Sequence, residues 1–99
     1  MEIIYGDKEL KKCATDKSYA LKKMGQRRAL YYVLRIAQIG GASDFEKLRG
    51  LSGHYHELVG NRAGQWACDL DQPYRLILRV RMRDLLLKLC GLKKKLRNF

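Results

Sequence analysis

The chain has 99 residues, 46 % of them apolar, with one proline and nine glycines, which suits a single folded domain over residues 1–99 and excludes a disordered or collagen-like polymer. No run of about eighteen apolar residues offers a membrane span, and the opening MEIIYGDKEL lacks the apolar stretch of a secretory signal, so a cytoplasmic protein without membrane attachment is expected. The net charge is +11, of which residues 79–99 hold +7, with eight Lys/Arg against Asp84 alone; the body is only mildly basic, so charge by itself argues weakly for a polyanionic partner.

In chain order, EIIY (2–5) is a short apolar strand stopped by Gly6. Asp7 then suits a helix cap, with Leu10, Cys13, Ala14 and Leu21 as the buried stripe and a lysine-rich solvated face. Gly25 interrupts, and a second helix is expected from about Gln26, burying Leu30, Val33, Leu34 and Ala37 and ending at a left-handed cap on Gly40-Gly41. SDFEKL (43–48) adds a helical turn. From residue 54 the period changes to two. His54, His56 and Leu58 fall on one side, and Tyr55, Glu57 and Val59 on the other. GNRAG (60–64) is a turn, QWACDL a strand, DQP a turn and YRLIL a further strand. This order predicts an α+β fold, an N-terminal strand and helical hairpin packed on one antiparallel sheet.

The tail reads differently. Leu85, Leu89, Leu92 and Leu96 fall at helical spacing among lysines, so the literal reading of the C-terminal segment is an amphipathic basic helix. Its second reading is genetic: back-translated with suitable codons, one nucleotide restored after Ile77 yields a turn and an alternating apolar strand in the other frame. Sequencing the coding DNA separates the two. Cys13, Cys68 and Cys90 lie far apart with no CxxC or Cys/His pairing, which supports reduced thiols, no zinc site and no cofactor.

One stretch carries chemistry. His56-Glu57-Leu58-Val59-Gly60-Asn61-Arg62-Ala63-Gly64-Gln65-Trp66, followed by Tyr74-Arg75-Leu76-Ile77-Leu78, resembles the HigB branch of the RelE/ParE superfamily of toxins from bacterial toxin–antitoxin pairs. The match is close over about residues 45–78 and holds in outline for the hairpin. It implies a ribosome-dependent endoribonuclease that cuts messenger RNA and arrests translation, and a HigA-like helix-turn-helix protein as antitoxin. Members of this branch end in an acidic-Tyr-His-like element that takes part in cleavage. The tail here has no such element, which puts full activity in question.

Metal-independent RNA cleavage needs a proton acceptor for the 2′-hydroxyl, a proton donor for the leaving 5′-oxygen, and cations for the charge growing on phosphate. His56 suits proton transfer near neutral pH, and Arg62 and Arg75 suit bidentate phosphate binding. Tyr74 and Trp66 have rings that can stack on unpaired bases. Each has a plainer reading. His56 can be a polar strand residue, Trp66 a core anchor, and His54, outside the family pattern, is read as surface. Two other functions stay open: a ParE-like toxin that inhibits gyrase without nuclease chemistry, and a small basic nucleic-acid-binding module working through its tail.

Overall fold

The computed structural model describes residues 2–58, 60, 64–81 and 86–94. Strand β1 (Glu2–Tyr5) leads into helices α1 (Lys8–Thr15), α2 (Lys17–Met24), α3 (Gln26–Gly41) and the short α4 (Phe45–Arg49). Strands β2 (His56–Glu57), β3 (Gln65–Asp69), β4 (Tyr74–Arg81) and β5 (Leu86–Lys94) follow. They form one sheet in the order β1-β5-β4-β3-β2. β2, β3, β4 and β5 pair antiparallel in succession, and β1 runs parallel to β5. The helices cover one face, the α+β arrangement expected from the change of period.

Local chemistry sets the helix ends. Asp7 caps α1 as expected, its Oδ1 accepting from the Leu10 amide at 2.7 Å. What reads as one helix from Asp7 is two. The Asp16 amide closes α1 on the Lys12 carbonyl, and its carboxylate accepts from the Tyr19 amide to open α2. That break turns the chain, and Leu21 is exposed at 48 % rather than buried.

Helix α3 is rotated relative to the expected stripe. Ala29, Tyr32, Arg35 and Ile39 are buried, whereas Leu30 and Leu34 are 69 % and 44 % exposed. The helix is apolar on much of its circumference, so hydrophobicity alone does not choose a face. Polar partners fit only the observed rotation: Tyr32 donates its hydroxyl to the Leu10 carbonyl at 2.8 Å, and Arg35 Nε donates to the Asp69 carbonyl at 2.7 Å. Nor does α3 stop on a left-handed glycine. Gly40 and Gly41 are helical, and Ala42 ends the helix in extended geometry.

The expected tail helix is a strand over Leu86–Lys94, inserted between β1 and β4. A helix there would leave β1 without a partner and β4 as an open edge, with rows of unpaired backbone groups. As a strand, the same residues pair with both neighbours. The ladder with β4 slips once: Ile77 faces Gly91 and Leu78 faces Leu89, so Cys90 is the extra residue of a bulge.

The sheet has two unlike faces. Tyr55, Cys68, Leu70, Leu76 and Leu78 join the core beneath the helices, with Trp66 and Tyr74 packed against it. Leu58, Ala67 and Ile77, each itself buried, form a small separate cluster on the opposite face, open in the sense that it lies away from the helix-covered core. A side-chain period of two then places His56, Asp69, Arg75 and Arg79 on that open face.

Candidate functional site

The open face has a polar rim around its apolar patch, and register fixes its layout. His56 stands opposite Ala67, which stands opposite Ile77. One pleat along, Asp69 faces Arg75; one pleat the other way, Gln65 faces Arg79. With strands about 4.8 Å apart and about 3.4 Å of rise per residue, the Cα atoms of His56 and Arg75 lie about 12 Å apart, a span two long side chains can close over one phosphate.

His56 is held from behind. Its Nδ1 is 2.8 Å from the His54 carbonyl oxygen; a carbonyl only accepts, so Nδ1 carries the hydrogen and Nε2 of the neutral ring is left with its lone pair. The His54 ring stacks on it, centroids 4.4 Å apart and planes 25° apart. Beyond that pair, His54 Nδ1 lies 3.8 Å from Asp69 Oδ2. His54 itself occupies the left-handed backbone region at φ 54°, uncommon for a residue with a side chain and a place where strain and function often coincide.

Support comes from α3. Arg35 is buried, and besides the Asp69 carbonyl its guanidinium reaches the Ser52 carbonyl at 3.4 Å and Gln38 Oε1 at 3.3 Å. Gln38 in turn donates to Ser52 Oγ and accepts from the Tyr55 hydroxyl. Asp69 N–H donates to the Gly53 carbonyl at 2.7 Å. The loop before His54 and the end of β3 are thus tied to one guanidinium.

The cations differ in their surroundings. Arg75 Nε is buried without a hydrogen-bond partner among the described residues, so a charged group beside an apolar strand keeps donor capacity in reserve. Arg79, on the same face four residues on, was not singled out in the sequence. Its period with Arg75 on an alternating strand was the available signal. Arg62 lies outside the described residues. Gly60 and Gly64, on either side of it in the sequence, have φ values of 74° and 89°, which suit glycine.

Tyr74 and Trp66 are not brought to this face. Tyr74 lies beneath the helices with the Arg28 guanidinium 3.5 Å from its ring centroid, and Arg28 is held by Asp71 through Nε at 3.0 Å and Nη2 at 3.3 Å. Trp66 is half-buried on the helix side, 4.6 Å from the Arg49 guanidinium. Both rings have the cation over an aromatic face that packing favours. Cys68 is buried, and that burial pushes its thiol up to about 12, so it is not a ready nucleophile at neutral pH. Among the described residues no group of three or more His, Cys, Asp or Glu is placed to hold a metal, and no helix is long and apolar enough to cross a membrane.

No family model matches the sequence, and no curated protein matches it. Solved structures do. A YoeB/ParE toxin from Agrobacterium tumefaciens is similar with a TM-score of 0.66 at 14 % identity, over 97 % of this chain and 100 % of that one. YoeB from Staphylococcus aureus, solved as a dimer, gives 0.61 at 13 % identity, over 97 % and 98 %. The YoeB–YefM complex from Staphylococcus aureus gives 0.58 at 16 %, with the same shares. At such identities the likeness is one of fold.

Proposed function

We propose that this chain is the toxin of a toxin–antitoxin pair, of the HigB branch of the RelE/ParE superfamily, and that it cuts messenger RNA on the ribosome. The observation that carries the reading is the sharing of one open sheet face by His56, Arg75 and Arg79, with His56 Nδ1 already engaged by a backbone carbonyl. His56 Nε2 takes the proton from the 2′-hydroxyl. The oxygen attacks the adjacent phosphorus, and Arg75 and Arg79 hold the charge that grows on the phosphate oxygens. Arg62, which follows β2 in the sequence, is assigned the same role. Tyr74 and Trp66, beneath the sheet, serve as supports of β3 and β4 rather than as base platforms.

The partner assigned to it is a HigA-like antitoxin with a helix-turn-helix domain, and the place of action is the cytoplasm, where the ribosome and message are. The exposed leucines 21, 30 and 34 lie on the helices, away from the open sheet face, so the antitoxin is assigned to the hairpin.

The test is His56→Ala in a translating extract, with new message 5′ ends mapped by primer extension. Cleavage is expected to fall about 10²- to 10⁴-fold, the range of general acid–base catalysis, with ribosome association retained. Undiminished arrest together with loss of gyrase supercoiling overturns the nuclease reading in favour of a ParE-like one.

A further inference from the structure

We infer that His54 is the general acid of the cleavage reaction and works as a pair with His56, an inference that rests on the nuclease reading above. Transesterification needs two proton transfers on one phosphate, and among the described residues the open face carries two imidazoles, 4.4 Å apart. They are not equivalent. The Nδ1 of His56 faces a carbonyl oxygen at 2.8 Å, which keeps the hydrogen on Nδ1 and, in the neutral ring, turns the lone pair of Nε2 outward. The Nδ1 of His54 faces the Asp69 carboxylate at 3.8 Å, the counter-charge that an imidazolium calls for. Two stacked rings this close repel each other when both are charged, and of the two only His54 has a carboxylate beside it.

The charged groups around His54 come from every neighbouring element. They are His56 on β2, Asp69 on β3, Arg75 opposite Asp69 on β4 and, from α3, the buried Arg35 guanidinium beneath the preceding loop. Arg75 stands opposite Asp69 in the ladder, and Arg35 engages the Asp69 carbonyl rather than its carboxylate. The carboxylate is left facing His54.

The step balances. His56 Nε2 accepts the 2′-hydroxyl proton, the O2′–P bond forms, the P–O5′ bond breaks with its electron pair on O5′, and His54 Nε2 delivers a proton to that oxygen. The products are a 2′,3′-cyclic phosphate and a free 5′-hydroxyl, and proton exchange with water resets both rings.

The test compares His54→Asn with His56→Ala. Asparagine tolerates the left-handed backbone that residue 54 adopts and cannot shuttle a proton; a thermal melt checks the fold. Two messages are offered on the ribosome, one ordinary and one with sulfur replacing the bridging 5′-oxygen at the cut site, since a thiolate leaves without protonation. His54→Asn is expected to lose about 100-fold or more on the ordinary message and less than about tenfold on the sulfur message. It should also lose the alkaline decline of the rate. His56→Ala should fail on both. Wild-type cutting with an undisturbed His54→Asn, or with equal loss on both messages, overturns the acid role. Absence of wild-type cutting instead overturns the nuclease reading itself.

Discussion

Gly53 shows how little room this site leaves. Its φ is +114°, and a β-carbon built there would sit 2.7 Å from Arg35 Nε. That nitrogen donates to the Asp69 carbonyl, and the Gly53 carbonyl accepts from the Asp69 amide. Gly53→Ala therefore brings a backbone penalty and displaces a buried, charged hydrogen bond. A loss of about 3 kcal/mol in unfolding free energy is expected, read as a lower urea midpoint at unchanged slope. Arg35→Lys should keep the charge and lose the fork that reaches Asp69, Ser52 and Gln38 together. It should be less stable than the parent and, under the proposed nuclease function, cut message more slowly with the pH profile unmoved. That last readout separates a residue that positions the histidines from one that transfers protons.

At the scale of elements, alternation was the most legible feature. The period of two over 54–59 assigned His54 and His56 to one side and Tyr55 to the other, as in the fold, because Tyr55 is buried among the helices and the histidines are not. The Asp7 cap was equally plain. The face of α3 was not. Leu30 and Leu34 suit a core as well as Ala29 and Tyr32 do, and the choice was made by two long-range partners, the Leu10 and Asp69 carbonyls, that no local spacing reveals. Asp69 and Arg35 were missed for the same reason, as both depend on register between segments far apart in sequence. The tail was misread because leucine spacing at 85–96 fits a helix, whereas the vacancy between β1 and β4 demands a strand. Ending the chain after residue 84 should therefore do more than trim a surface. It removes β5, which among the described residues joins β1 to the remainder of the sheet, and the expected result is loss of the cooperative thermal transition, followed by circular dichroism.

The whole molecule should be sensitive to alkali. Burial raises the Cys68 thiol to about 12 and pushes the Tyr32 and Tyr55 hydroxyls upward as well. The ordinary values of these groups are 9.0 and 10.0. Their neutral forms are the ones the fold accepts, so their contribution is complete below pH 9. Above it the unfolded chain releases protons the native chain retains, and stability falls as pH rises. Cys68 alone should cost about 1.4 kcal/mol per pH unit between 9 and 12, steepening above 10 as the tyrosines join. Urea midpoints measured from pH 7 to 11 check both the onset and the slope; a flat profile would contradict the buried, protonated thiol. Among the described residues β1 has β5 as its neighbour, Glu2 opposite Leu86 and Tyr5 opposite Leu89. That seam joins segments far apart along the chain, and such distant pairings form slowly, so β1 is expected to be stitched in late in folding, once β5 has docked on β4.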